Sequence, residues 1–245
     1  MKNSKHIIEG PALGNQFLED SAILDYLDYI LPKDIIDAAK ADLIELGNKV
    51  ITEAMEYAKD CERNQPQLEQ YNSWGERVDK LHLTWGWKQQ KDFSAKNGIV
   101  AYGYENHFGH FRRLLQFVRL YMYCPSSGLF SCPLAMTDGA AFLIRNILRS
   151  SEEKKIDPEV KAKLEIAYGN LTSRDPQKFW TSGQWMTEVR GGSDVSGASA
   201  TFAVHENGPS FKLYGDKWFS SATDANMTIT VGRIGKESDP VKKLI

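Results

Sequence analysis

Apolar residues in the first two-thirds of the chain recur at helical spacing, and after Gly183 the spacing falls to two. Ser21 to Leu31 predicts a short apolar helix that ends at Pro32. Asp34 to Arg63 predicts a long one. There Ile36, Ala39, Leu43, Leu46, Val50, Ala54, Tyr57 and Cys61 advance by three or four residues and so share one helical face. Pro66 stops it, and the stripe predicts core packing in a bundle rather than a coiled-coil partner surface. Gln70 to Gly103 is rich in glycine and aromatics, with Trp74, Trp85, Trp87, Phe93 and Tyr102, and breaks the period; a long irregular connection is expected. Helical pattern returns over Glu105 to Tyr123, Thr137 to Arg149, and Pro158 to Tyr168. For the last of these Asp157 is the expected N-cap and Pro158 the first helical residue.

In the period-two region, Ala198 to His205 and Ser210 to Trp218 read as strands joined through Glu206-Asn207-Gly208-Pro209, whose Asn-Gly pair is a hairpin signal. Asn226 to Ile234 alternates and reads as another strand, and Lys236 to Pro240 as a loop. Helices followed by strands predict an α+β chain with segregated units: an all-α helical domain over residues 1–180, then an antiparallel β domain over 181–245 of which the chain holds only the start. Three or four strands would leave open edges and half a core.

Composition narrows the function classes. Of 245 residues, 42% are apolar and 25% charged, with a net charge of −2. That balance argues against nucleic acid or an anionic membrane surface as a partner. Cys61, Cys124 and Cys132 are scattered, with no metal-ligand spacing, and read as reduced thiols. No apolar run reaches the roughly 20 residues of a membrane span. Met1 to Glu9 has no apolar signal core, so a cytosolic address is expected, with a mitochondrial one as the alternative.

The chemistry concentrates in Gln184-Trp185-Met186-Thr187-Glu188-Val189-Arg190-Gly191-Gly192-Ser193-Asp194-Val195-Ser196-Gly197. A strand runs into a glycine-bearing loop flanked by hydroxyls and acids. Free backbone N–H groups and the Thr187 and Ser193 hydroxyls make a donor-rich concavity suited to a phosphate or an electron-rich heterocycle. The loop is neither a Walker loop nor a GxGxxG fingerprint, and on its residues alone an ordinary surface turn is an equal reading. Elsewhere, His107 and His110 with Glu105 could hold a metal, but packed or surface imidazoles are the expected reading, because no third ligand has firm spacing. Arg112, Arg113 and Arg119 are expected to form a solvated or ion-paired face. Asp216 and Lys217 are expected in a solvated turn, and Cys132 has no histidine base.

The segment resembles the signature of acyl-CoA dehydrogenases, in which Thr-Glu, two variable residues and Gly-Ser-Asp follow a strand. A second family motif, Gly-x-Lys-x-Trp-Ile-Thr/Ser or a close variant, resembles Gly215-Asp216-Lys217-Trp218-Phe219-Ser220-Ser221. Trp185 departs from the small residue usual there; with the extended amino-terminal region and the Trp-Phe-Ser variant, it is most similar to the AidB-like branch. The resemblance implies FAD as cofactor. Met186 and Thr187 would bind the pyrimidine edge, Ser193 the pyrophosphate region or an acyl-CoA group nearby with Gly192 also on the cofactor, and Trp218 would pack on the ring, with Phe219 and Ser220 near the hydride-accepting atom. It implies α,β-dehydrogenation of a fatty acyl-CoA, in a homotetramer or homodimer, with the catalytic carboxylate on a carboxy-terminal helical domain that this chain does not reach. No acid present here is assigned that role. This chain alone is expected to bind flavin weakly or not at all and not to turn over. Two alternatives are an AidB-like flavin- and DNA-associated stress-response protein and a fatty-acyl-CoA binder that does not oxidise its ligand.

Overall fold

The computed structural model describes residues 10–150 and 155–235. The polar start Met1 to Glu9 and the loop read at Lys236 to Pro240 lie outside the described residues. Helix α1 (Ser21–Ile30) is capped by Asp20, whose side chain accepts from Ile23 N. It ends at Leu31, held extended because a proline follows. The long apolar stripe forms α2 (Lys33–Lys49), a π-helical stretch (Val50–Ala54) and α3 (Met55–Arg63) without an intervening break. Ala39, Leu43, Leu46, Val50 and Ala54 on that stripe are buried in the main core with Phe93, Leu115, Tyr123 and Leu134. The periodicity therefore located the core-facing side.

Gln70 to Gly103 is a correction. It holds most of a two-stranded hairpin, β1 (Gln67–Tyr71) and β2 (Arg77–His82), and then helix α4 (Trp85–Lys96). Thr84 starts α4 by accepting from Trp87 N. Gly86, which reads as a helix breaker, lies against α3: a Cβ there would stand 2.2 Å from Tyr57 O. The residue is small because two helices meet there.

Helix α5 (Arg112–Tyr123) begins seven residues later than the pattern implies, since Phe108 and Gly109 are left-handed with φ of 59° and 52°. Helix α6 (Ser131–Leu148) begins earlier than expected, and α7 (Pro158–Leu171) carries the expected cap, Asp157 accepting from Glu159 N and Val160 N. The three cysteines are free thiols.

After α7 come β3 (Ser182–Trp185), a single turn α8 (Val195–Ala198), β4 (Phe202–Asn207), β5 (Ser210–Tyr214), β6 (Met227–Thr230) and β7 (Arg233–Ile234). The expected antiparallel hairpin is β4–β5, turning at Gly208 with φ of 48°. The other two pairings in this region, β3 with β6 and β4 with β7, are parallel. Each joins strands separated by a long excursion of chain, which allows the parallel sense that a tight turn forbids. Met227 and Ile229 of β6 pack on a second apolar cluster formed by Ala140, Ala141 and Ile144 of α6 with Ala167 and Leu171 of α7. Among the described residues no helix is long and apolar enough to cross a membrane.

Candidate functional site

The two sequence motifs meet. Past the end of β3, Met186 and Thr187 lead to Glu188, which forms an isolated antiparallel bridge with Lys217. One residue outward, Trp218 N donates to Thr187 O at 2.9 Å. Gly215, at φ 151°, delivers the second motif to this point; a Cβ on it would stand 2.5 Å from Thr201 Oγ1, so only glycine fits.

What lies under the bridge is a charge network. The Glu188 carboxylate accepts from Ser199 Oγ (2.9 Å), Ala200 N (2.5 Å), Thr201 N (3.2 Å), Thr201 Oγ1 (2.6 Å) and Lys217 Nζ (2.7 Å). Lys217 also donates to Val231 O at 2.9 Å. Burial opposes the charge on Glu188. The donors from Lys217, Thr201, Ala200 and Ser199 outweigh that and hold the carboxyl at about 2. The solvated turn expected at Asp216 and Lys217 is therefore corrected at Lys217, whose side chain is only 12% exposed because its ammonium is drawn inward to a carboxylate.

Above the bridge the surface is different. Trp218 and Phe219 are 54% and 79% exposed, edge to face with ring centroids 5.7 Å apart. Phe219 is held at φ 55° and Ala222 at φ 53°. The half-buried Thr187 hydroxyl has no hydrogen-bond partner among the described residues. Trp185 closes the motif from the side, its Nε1 donating to Ser221 O at 2.8 Å. An apolar aromatic platform beside a free hydroxyl fits a flat heteroaromatic ring with polar edges, as in a flavin.

Gly191 and Gly192 form a turn of ordinary backbone geometry. Neither has positive φ, and Gly191 closes a tight turn by pairing with Glu188 in both directions. A Cβ on Gly191 would meet Ala198 Cβ at 2.2 Å, so its smallness serves α8; Gly192 has open space around it. Ser193 is exposed, and the neighbouring Asp194 caps α8 through Gly197 N.

The other candidates resolve structurally. Glu105 is bound by Arg174, and the left-handed Phe108 breaks the helix that would have placed His107 and His110 on one face. No metal-holding cluster occurs among the described residues. Arg113 pairs bidentately with Asp138, and Arg119 is 1% exposed, bound to Asp42 and Asn97 O and stacked 4.6 Å over Tyr102. Of the two expectations for this face, Arg113 and Arg119 meet the ion-paired one.

Two cavities flank the bridge region. One of about 620 Å³ is an open trough along β4 and β5 that includes neither Thr187 nor Trp218. The other, about 260 Å³, lies between Leu81, Leu83, Trp87 and Leu129 and the loop Ala222 to Asp224 that follows the second motif. Trp87 Nε1 donates to Asp224 Oδ2 at 2.8 Å across its rim.

The arrangement has known counterparts. Residues 12–163 match the family model of the adaptive response protein AidB N-terminal domain. The chain belongs to the AidB-like branch of the acyl-CoA dehydrogenases. It is 39% identical over 226 residues to acyl-CoA dehydrogenase family member 11 of Caenorhabditis elegans, covering 92% of this chain and 35% of that protein. With the putative acyl-CoA dehydrogenase AidB of Escherichia coli it shares 24% identity over 190 residues, 76% of this chain and 34% of the other. It therefore spans about a third of the length of the curated relatives it matches. The solved Caenorhabditis elegans ACDH-11 in complex with C11-CoA superposes with a TM-score of 0.88 at 37% identity, over 99% of this chain and 40% of that one. The apo-form of Bd2924 gives 0.81 at 41%, over 92% and 44%. In these acyl-CoA dehydrogenases, as here, helices come first and a small sheet follows.

Glu188, Lys217 and Trp185 also build the site. The available signal was the order Thr-Glu in one motif and Lys-Trp in the other, which in paired extended segments sets the charged pair on one side and Thr187 with Trp218 on the other.

Proposed function

We propose that this chain supplies one wall of a flavin seat in an FAD-dependent enzyme that dehydrogenates a fatty acyl-CoA between its α and β carbons. The observation that carries the reading is the adjacency of Thr187 and Trp218, brought together from two motifs by a backbone hydrogen bond of 2.9 Å. In this reading residues 1–180 are a mainly helical domain that also carries the β1–β2 hairpin, and 181–245 belong to a flavin-binding β domain. Trp218 and Phe219 bear on the ring system, and the Thr187 hydroxyl, with Met186 beside it, meets the polar edge. Ser220 lies near the reacting edge, and Gly192 and Ser193 toward the phosphates. FAD supplies the hydride acceptor for such a reaction. A donor at the ring's polar edge favours the negative charge that reduction brings. The cavity of about 260 Å³ beside the second motif suits the acyl chain, since Leu81, Leu83 and Leu129 line it. The relative solved with C11-CoA supports the substrate class. Glu188 does not serve as the base, because its lone pairs already receive five hydrogen bonds.

The test is a fluorescence titration of the chain with riboflavin and with FAD. Weak but saturable quenching is expected, lost in Trp218→Ala. Absence of quenching in saturated riboflavin and in excess FAD, or quenching unaffected by Trp218→Ala, would remove the flavin reading. Adding acyl-CoAs of several lengths to the flavin-loaded protein then separates oxidation, which bleaches the flavin, from simple sequestration, which does not.

A further inference from the structure

We infer that the Glu188–Lys217 ion pair is a positioning device that fixes which face of the bridge carries Thr187 and Trp218. The inference rests on the flavin reading only for what the presented face binds; the geometry stands apart from it. In paired extended segments, successive side chains point to opposite sides. Glu188 and Lys217 face each other across the bridge, with side chains 4% and 12% exposed. Beside this pair Trp218 N donates to Thr187 O, and the Trp218 side chain, 54% exposed, lies off the buried network.

A slip of one residue would exchange the two faces. Slipping the Lys217 segment would bury the indole and pull the ammonium away from Glu188 and from Val231 O; slipping the Glu188 segment would bury Thr187 and abandon every donor from Ser199, Ala200 and Thr201. Apolar packing does not compete for this role: after Phe179, Ala203 is the only buried apolar side chain among the described residues. Because the carboxylate is saturated with donors and shut away from the exposed platform, Glu188 acts through Thr187 and Trp218 rather than on a substrate.

The experiment compares Glu188→Gln, Lys217→Met and the double variant with the parent chain. Tryptophan is replaced by 5-fluorotryptophan, and the Trp218 line among the six in the ¹⁹F spectrum is assigned with Trp218→Phe. In the single variants the Trp218 line should shift or broaden while far-UV circular dichroism is retained, and riboflavin should bind about tenfold more weakly or worse. The double variant should recover part of the loss, since it leaves no buried charge unpaired. Should Glu188→Gln fail to fold, Ser199→Ala removes one donor only and should give a smaller effect in the same direction.

An unchanged Trp218 line in the folded variants overturns the inference whether or not flavin binds. Parent quenching with unchanged variant affinity also overturns it, and leaves the flavin reading intact. If the parent binds no riboflavin, the flavin reading falls, and the Trp218 line alone decides the positioning role.

Discussion

The two halves of this molecule are held together by different forces. In the helical region a continuous apolar stripe on α2, the π-helical stretch and α3 packs against α4 and α5, and side chains such as Leu43, Leu46, Val50 and Leu115 are at most 1% exposed. In the strand region the buried side chains are mostly polar: Thr181, Ser182, Glu188, Ser199, Thr201 and Arg233. Arg233 reaches back to Ser199 O, Ser196 O and Gly197 O, and so ties the same loop that Glu188 holds. Apolar packing is indifferent to pH and tolerant of direction. A polar network is directional, so it suits a place where two exposed side chains must be presented at fixed positions.

This contrast is broken most sharply from the apolar side. Leu43→Ala removes a core side chain that is 1% exposed and should lower stability by about 4 kcal/mol, the usual range for such truncations in a tight core. Chemical denaturation monitored by far-UV circular dichroism checks it. A loss below about 1 kcal/mol would mean the stripe is not the principal core.

Acid should act on the other half. The Glu188 carboxyl falls from its ordinary 4.5 to about 2 in the folded chain. A depressed carboxyl contributes stability that is fully present above the unfolded value and is lost as pH falls through the folded one. The contribution, about 3 kcal/mol from roughly 2.5 pH units, should therefore disappear between pH 5 and pH 2. Near-UV signals from Trp185 and Trp218 should fade in that window ahead of the helical far-UV signal. In Glu188→Gln the step should vanish. A parent chain whose two signals fade together at every pH would show that the halves are not separately held.

The same division explains what could be read from residues alone. Apolar periodicity located the stripe, Asp157-Pro158 the cap and Asn207-Gly208 the hairpin, because each is a local device whose signal lies within a few residues. The meeting of Thr187 with Trp218 was legible too, since both motifs carry family resemblance. Helix α4 was missed because Gly86 and its neighbouring tryptophans read as loop chemistry. Only contact with α3, distant in sequence, makes a glycine useful there. Lys217 was misplaced for the same kind of reason: an exposed ammonium is the default until a buried carboxylate 29 residues away draws it in. The parallel pairings of β3 with β6 and β4 with β7 leave no local mark in either strand.

The smallest effect sharpens the comparison where the halves touch. Asp157 Oδ1 accepts from Glu159 N at 2.8 Å and Val160 N at 3.3 Å, and Pro158 between them has no N–H to satisfy. Asp157→Ala should therefore cost about 1 kcal/mol, or roughly 2–4 °C in melting temperature for a chain of this size. Asp157→Asn, which keeps an acceptor, should cost much less. The loss should not stop at the helix end. Ala167 and Leu171 of α7 form the surface on which Met227 and Ile229 of β6 rest, and β6 is the partner that keeps β3 extended into the first motif. Hydrogen exchange should accordingly quicken in the first turn of α7 and, more weakly, in β6, with the α2 stripe unchanged. Faster exchange confined to the first turn would show that the strand region takes its order from its own polar network and needs α7 only as a passive support.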